Sequence, residues 1–278
     1  MYKEELNEVK TNGLTLLGYS VAGEETVIIV PELDVVFDIG KCPRQALNVN
    51  HVLLTHGHID HAAGLPYYFA QRFFQSNTKG VALVPFEIVK LLEELMECWG
   101  RIDGNIPPHH IVGMKSGEQF EINRRLLVRA FSTNHVVPSL GYVVIETRNK
   151  LKEEFRGMRE AELVRLKGEG IRLSRVEEIP LVAYLGDTAV DSYTSLPYVT
   201  KAKVLLIECT FFRPDYAGRS QRYKHLHVSD LPQILAHVES EHIVIVHVTK
   251  SIKLSEASDI LCQHLSADIL PRVRFLMG

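Results

Sequence analysis

Short apolar runs separated by turn residues occupy the first forty residues of the chain. The runs lie at 14–19, 26–30 and 35–38, and Pro31 and Gly40 stand at their ends. Runs of this length that are punctuated by proline and glycine are typical of consecutive antiparallel strands. The chain is therefore expected to begin with strands that lie side by side in a sheet.

Later segments show helical spacing. Between residues 85 and 99 the apolar positions recur every three or four residues, and a similar pattern follows Ser229, which lies where a helix cap would stand. Both patterns predict amphipathic helices. Strands that later alternate with helices predict a layered α/β domain.

The composition agrees with a globular protein. The 278 residues are 46% hydrophobic and 23% charged, which argues against a disordered or fibrous chain. The 31 Lys and Arg against 34 Asp and Glu give a net charge of −3, and this balance taken alone argues against a nucleic-acid partner. Four cysteines without a CxxC pair indicate neither a disulfide framework nor a cysteine zinc site.

The chain also lacks the signals of a secreted or membrane protein. It contains no run of about 18 apolar residues, and the acidic start Met1–Glu5 does not resemble a signal peptide. We expect a cytoplasmic protein, with an organellar mature form left open.

One stretch departs from the acidic average. Residues 148–175 hold nine basic and five acidic side chains, a local charge of +4, while the rest of the chain carries 22 basic and 29 acidic ones. This composition predicts a single domain over 1–278 with a basic, flexible arm inserted at about 148–175. An ordinary solvated helical hairpin is the alternative interpretation.

A dense histidine motif follows the apolar run 52–55. Residues 56–61 read His-Gly-His-Ile-Asp-His, so three imidazoles and a carboxylate leave the end of a predicted strand together. This ligand chemistry suits zinc, and also manganese or iron. A histidine-rich surface loop is the alternative interpretation.

Three further candidate ligands also stand at the ends of apolar runs. His135 follows 126–132, Asp187 follows 180–186, and His247 follows 243–246. Strand ends at one rim of a sheet scaffold would direct these side chains toward a common point. A site for more than one metal ion is therefore predicted.

These residues resemble the metal-binding motifs of the metallo-β-lactamase superfamily. The resemblance implies an αββα sandwich, in which two mixed sheets are flanked by helices. It also implies two divalent metal ions, with zinc as the first expectation. The implied ligands are His56, His58 and His135 for one ion, Asp60, His61 and His247 for the other, and Asp187 as the bridge between them.

The resemblance narrows to the tRNase Z family, whose members remove the 3′ trailer from precursor tRNA. It extends over nearly the whole chain and is closest to the short, plant-type form. The segments that carry it are 37–40, 134–139, 141–142, 185–188 and 208–211.

The resemblance implies a mechanism of hydrolysis. Two metal ions activate a water for in-line attack on a phosphodiester, and Asp60 both binds a metal ion and steers that water. The leaving oxygen takes its proton from the imidazolium of His227, which the carboxylate of Glu208 orients. His225 is the second choice for this acid, and a buried Glu–His pair that only braces the sheet is the alternative.

The resemblance also implies partners. In this family the arm holds precursor tRNA, and the enzyme works as a homodimer. The arm positions expected to contact RNA are Lys150, Lys152, Arg156, Arg159, Arg165 and Lys167. The aromatic residues at 67–69 and 73–74 are equally compatible with an interface and with the core.

Two alternative functions remain open at this point. The same ligands serve hydrolases that act on small phosphodiesters or cyclic nucleotides. The family pattern after the last ligand contains an arginine, whereas this chain has Lys250, and lysine does not replace the planar fork of arginine. A catalytically weakened RNA-binding relative is therefore the second alternative.

Overall fold

Two seven-stranded sheets form the framework of the computed structural model, which describes residues 6–11, 13–77 and 79–276. The strands of the first sheet are β1 (Asn7–Lys10), β2 (Thr15–Val21), β3 (Glu25–Val30), β4 (Val35–Phe37), β5 (His51–Leu53), β6 (Val81–Pro85) and β7 (Ile111–Met114). Those of the second sheet are β8 (Gln119–Glu121), β9 (Leu126–Ser132), β10 (Leu140–Leu151), β11 (Ser174–Tyr184), β12 (Val204–Glu208), β13 (His242–Val246) and β14 (Val273–Phe275).

Both sheets are mixed, and the strands of each follow one another in chain order. Strands β1 to β4 pair antiparallel, and β4 to β7 pair parallel. The second sheet repeats this arrangement, with β8 to β11 antiparallel and β11 to β14 parallel. Residues 7–114 therefore build one sheet, and residues 119–275 build the other.

Helices cover the outer faces of both sheets and form the connections. The α-helices are α1 (Ile59–Ala62), α2 (Leu65–Phe74), α3 (Val89–Asp103), α4 (Glu160–Gly168), α5 (Pro197–Thr200), α6 (Ala217–Tyr223), α7 (Leu231–Leu235) and α8 (Leu254–His264). Short 3₁₀ helices lie at Pro31–Leu33, Arg44–Asn48, Phe86–Ile88, Glu153–Phe155, Ser192–Ser195, Pro214–Tyr216, Val228–Asp230 and Leu270–Arg272. Among the described residues, no helix has the length and apolar character needed to cross a membrane.

The apolar side chains fall into three layers. Successive residues of β10 show the arrangement: Tyr142 and Val144 pack between the sheets, whereas Val143 and Ile145 pack under helices α7 and α8. The outer face of the first sheet packs under α2 and α3 in the same way. Strands buried on both faces appear as nearly continuous apolar runs, and the predicted αββα sandwich is confirmed.

The helix predicted at 85–99 begins later than predicted, and part of its predicted buried face is exposed. Strand β6 extends to Pro85, and α3 starts at Val89. Leu92 is buried as predicted, but Leu95 and Trp99 are 43% and 52% exposed. Part of the predicted apolar face is therefore directed to solvent.

Residues 147–173 extend beyond the sheet. Strand β9 pairs with β10 only as far as Glu146, while β10 and β11 continue as a two-stranded ribbon to Leu151 and Ser174. Helix α4 at the tip has no buried residue. A helix without a buried face contributes little to the core, so this segment protrudes from the sandwich.

Candidate metal centre

All seven side chains that the sequence suggested as ligands lie at one rim of the sandwich. They come from the segments that follow β5, β9, β11 and β13, with Asp60 and His61 on the short helix α1, so both sheets contribute. The ligating atoms of one group lie within 4.8 Å of one another, and so do those of the other. The two groups are His56, His58, His135 and Asp187, and Asp60, His61 and His247.

Asp187 lies between the two groups. Its Oδ2 is 3.4 Å from Nε2 of His61, 3.4 Å from Nε2 of His247 and 3.7 Å from Nε2 of His56. Asp60 Oδ2 lies 3.6 Å from Nε2 of His247. A single carboxylate thus faces imidazoles of both groups.

The side chains fit metal ions better than they fit each other. His56 Nε2 and Asp187 Oδ1 are buried without a hydrogen-bond partner among the described residues, although buried polar atoms are normally satisfied. Ring nitrogens also face ring nitrogens, with 3.3 Å between His58 Nδ1 and His135 Nε2. Divalent cations would satisfy these atoms together.

The charge states suit metal binding as well. Burial lowers the pKa of His135 to about 4 and that of His56 well below its usual value, so both rings are neutral at pH 7. Burial would raise the pKa of Asp60, but the hydrogen bond from His247 and the charges of His61 and His247 outweigh it and lower that pKa to about 2. Neutral imidazoles and ionised carboxylates are the forms that bind zinc. Burial would lower the pKa of His61, but the charges of the neighbouring carboxylates outweigh it and raise that pKa well above its usual value, so this ring would release a proton when a metal ion binds.

Asp38 holds His61, a member of the second group, from behind. This carboxylate follows β4, is completely buried, and accepts hydrogen bonds from Nδ1 of His61 at 2.8 Å and from the hydroxyl of Tyr184 at 2.9 Å. The amide of Thr55 donates to its other oxygen at 2.7 Å. Carboxylates that hold the far nitrogen of a ligating histidine fix the orientation of the ring.

In the sequence Asp38 stands within the segment 37–40, which carries the family resemblance, and it had no predicted role. The available signal was an acidic residue directly after a buried apolar strand, the same context that marked the seven candidate ligands.

Glu208 plays the corresponding part in the second sheet. It ends β12 and is completely buried. Its Oε2 accepts a 2.7 Å hydrogen bond from the hydroxyl of Thr210, which lies 3.0 Å from His247 Nδ1. The amide of Thr188 donates to Oε1 at 2.7 Å.

The structure pairs Glu208 with His225, and the predicted Glu208–His227 pair is not formed. His225 Nδ1 lies 2.9 Å from Glu208 Oε1. His227 caps the 3₁₀ helix Val228–Asp230 with Nδ1, and its Nε2 donates to the carbonyl of Arg213 at 3.0 Å. Both ring nitrogens of His227 are thus occupied outside the site. Two histidines separated by one residue could not be distinguished by spacing alone.

Glu208 also sets the charge of His225. Burial lowers the pKa of this imidazole, but the charge of Glu208 and the hydrogen bond to it outweigh burial and raise the pKa to about 9. Among the described residues no group hydrogen-bonds Nε2 of His225. The ring therefore carries a proton at neutral pH and has one nitrogen free for a substrate.

The turn between β2 and β3 closes the other side of the site. The amide of Gly23 donates to Asp60 Oδ2 at 2.9 Å, and Glu24 beside it forms an ion pair with Lys250. Gly23 has a φ of 73°, which glycine adopts readily. Lys250, where the family pattern has arginine, is thus engaged with the turn that holds Asp60.

Comparison with known proteins supports a family assignment. Residues 39–248 match the model of the Beta-lactamase superfamily domain. The chain is 34% identical to tRNase Z TRZ1 of Arabidopsis thaliana over 259 residues, covering 92% of each protein. It is 30% identical to the chloroplastic tRNase Z TRZ2 of the same plant, covering 95% of this chain and 76% of that protein.

Solved structures show the same fold. The metallo-beta-lactamase fold protein YhfI from Bacillus subtilis superposes with a TM-score of 0.63 at 10% identity, covering 92% of this chain and 93% of that one. The short form of human tRNase Z gives a TM-score of 0.56 at 15% identity, covering 87% and 88%. At these identities the likeness supports the fold.

Substitution of Asp38 tests whether its hydrogen bond to His61 contributes to metal binding at the site. We expect Asp38→Asn to weaken zinc affinity about 10–100-fold, because His61 loses its orienting acceptor. Asp34→Asn is the matched control, since Asp34 pairs with His51 outside the site. Calorimetric zinc titration of both variants measures the effect, and equal affinities would contradict the assigned role.

Proposed function

This chain belongs to the metallo-β-lactamase superfamily and, within it, to the tRNase Z family close to the plant type, and we propose that it is an endoribonuclease hydrolysing the phosphodiester that joins the 3′ trailer to precursor tRNA. The observation that carries the proposal is the convergence of seven ligand side chains and the Glu208–His225 pair at one rim. The plant relatives support the choice of substrate.

The metal-binding residues are proposed from their grouping. One ion would be held by His56, His58 and His135, a second by Asp60, His61 and His247, and Asp187 would serve both. The mixed imidazole and carboxylate set favours zinc, with manganese or iron as alternatives. When bound, two such ions polarise the phosphodiester and increase the acidity of a water molecule.

The residues of the chain itself position the water and deliver a proton. Asp60 is ionised, and its carboxylate, held by the amide of Gly23, accepts a hydrogen bond from the attacking water. His225 donates a proton from Nε2 to the leaving ribose oxygen, while Glu208 keeps the opposite nitrogen protonated and the ring fixed. Protonation matters because an alkoxide is a poor leaving group.

A cleavage assay tests the proposed function. We expect the zinc-loaded protein to release the trailer from a precursor tRNA, and Asp60→Ala to abolish this reaction with a smaller loss of RNA affinity. The assay measures both products on a gel with a chelator control. Hydrolysis of bis(p-nitrophenyl) phosphate or cyclic nucleotides without cleavage of precursor tRNA would overturn the proposal.

Substitution of His225 tests its role as the acid. We expect His225→Ala to lower kcat on precursor tRNA about 10²–10⁴-fold. Hydrolysis of bis(p-nitrophenyl) phosphate should change little, because nitrophenolate leaves without a proton. The comparison variant is His227→Asn, which keeps a capping side chain and should cleave RNA normally. The assignment would be contradicted if only His227→Asn lost activity on RNA, or if His225→Ala lost activity equally on both substrates.

The arm is proposed to hold the tRNA body. Its basic side chains differ in whether they are already engaged in ion pairs. Four of the six predicted contact residues form ion pairs within the arm or at its base: Lys150 with Glu177, Lys152 with Glu154, Arg156 with Glu153, and Arg165 with Glu169. Among the described residues Arg159 and Lys167 form none. Unpaired cations bind phosphate without first giving up a partner, so these two residues are the stronger candidates.

The arm is tested with two double variants. We expect Arg159→Ala with Lys167→Ala to raise KM for precursor tRNA and to reduce the salt slope of binding by about one per lost phosphate contact. Lys152→Ala with Arg156→Ala, which removes paired cations, should have the smaller effect. The measurement is KM and kcat across a salt series, and equal effects of the two variants would contradict this ranking.

A homodimer is proposed through an apolar groove between α2 and α3. The sequence left the aromatic residues at 67–69 and 73–74 compatible with an interface and with the core. Tyr68 and Phe69 are buried in the core, whereas Phe74 is 71% exposed. Phe74 lines an open groove of 470 Å³ with Tyr67, Leu95 and Trp99. A contiguous apolar surface of this kind marks an interaction site, and in a two-fold dimer the same groove is covered on both copies.

The oligomeric state tests this surface. We expect Trp99→Glu and Phe74→Glu to convert a dimer into a monomer, because each places a charge in the buried contact. Light scattering after size-exclusion chromatography measures the mass. Leu254→Glu, which changes an exposed leucine outside the groove, should remain dimeric. A dimeric mass for Trp99→Glu would contradict the proposed interface.

A further inference from the structure

A second basic surface lies beside the site and outside the arm. Residues 213–224, here called the basic segment, contain Arg213, Arg219, Arg222 and Lys224 but a single acid, Asp215. The segment comprises a 3₁₀ turn and α6, and it leads directly into His225. Its net charge of +3 in twelve residues stands on an otherwise acidic body.

Two of these cations are available to a ligand. Arg219 and Arg222 are exposed and form no ion pair among the described residues. Their guanidinium groups lie over the rings of Tyr216 and Tyr223, at 4.9 Å and 5.5 Å from the ring centres. Tyr223 is itself 47% exposed. The surface therefore offers two arginines and an aromatic face together.

The basic segment is fixed to the site at the C-terminal end of α6. The carbonyl of Lys224 lies 3.3 Å from His135 Nδ1, and its ammonium donates to the carbonyl of His135 at 3.1 Å. The amide of His225 donates to the carbonyl of Ser220 at 3.0 Å. Helix α6 therefore holds the exposed arginines close to His135, a proposed metal ligand, and to His225, the proposed acid.

The fold does not require this composition. Within α6, Ser220 is the buried residue, so neither the arginines nor Tyr223 pack in the core. Single-stranded nucleic acid is bound by cations that contact the backbone and by aromatic side chains on which bases stack. The basic segment presents both groups beside the histidine from which the leaving oxygen takes its proton.

We propose that the basic segment binds the RNA strand at the nucleotide whose ribose oxygen leaves, with Arg219 and Arg222 on phosphates and Tyr223 stacked on a base. The proposal rests on the proposed function and extends it. The arm would hold the folded body of the tRNA, while the basic segment would guide the strand that is cut.

The first test removes the two exposed arginines that form no ion pair among the described residues. We expect Arg219→Ala with Arg222→Ala to raise KM for precursor tRNA about tenfold at 150 mM salt and to reduce the salt slope by roughly 1.4, as for two single-strand phosphate contacts. The value of kcat and the hydrolysis of bis(p-nitrophenyl) phosphate should stay unchanged. Arg124→Ala with Arg125→Ala is the matched control. These exposed arginines precede β9, at the end of the strand opposite to the one that leads to His135.

The second test concerns stacking. We expect Tyr223→Leu to raise KM at least about fivefold and Tyr223→Phe to retain the wild-type value, because the aromatic face and not the hydroxyl contacts the base. A variant that had lost its fold would lose activity on the small phosphodiester as well, which separates folding from binding.

The outcomes also separate this inference from the proposed function. If wild-type protein cleaves precursor tRNA and the double variant keeps the wild-type KM and salt slope, the inference is overturned and the function stands. If wild-type protein does not cleave, fluorescence anisotropy with precursor tRNA still decides: weaker binding by the double variant supports the inference, and unchanged binding overturns it.

Discussion

Two buried carboxylates, one at a strand end in each sheet, are the constraint on which the site depends. Asp38 follows β4 and Glu208 ends β12, and each accepts several hydrogen bonds from groups that stand directly behind the metal-binding side chains. A buried anion is costly unless it is hydrogen-bonded, so these networks keep their donors in place. The histidines are thereby held close together even though they are mutually repulsive when protonated.

The same arrangement explains what could be predicted from the sequence. Ligands at the ends of buried strands carry a strong local signal, since apolar runs stop abruptly at histidine or aspartate. The pairing of Glu208 carried no such signal: His225 and His227 lie two residues apart, and the choice depends on how the chain turns at Lys224, which has a φ of 55°. Likewise, the spacing of α3 predicted an apolar face but not that Leu95 and Trp99 would lie in an open groove.

Charge illustrates a similar limit. A net charge of −3 conceals a basic arm, and within that arm ion pairs occupy several of the cations that composition alone would assign to RNA. The basic segment is too short to stand out in the sequence as a charge run. It precedes His225 in the sequence, but its place beside His135 is provided only by the tertiary structure.

The division of the chain into two successive sheets has a consequence for assembly. The first half supplies His56, His58, Asp60 and His61, and the second supplies His135, Asp187 and His247. Each metal ion of the proposed site would therefore be bound across the seam between these two parts of the chain, which are joined through the short link at 115–118. Metal affinity then includes the free energy of docking one half on the other, so a mutation deep in the central layer can impair metal loading without touching a ligand.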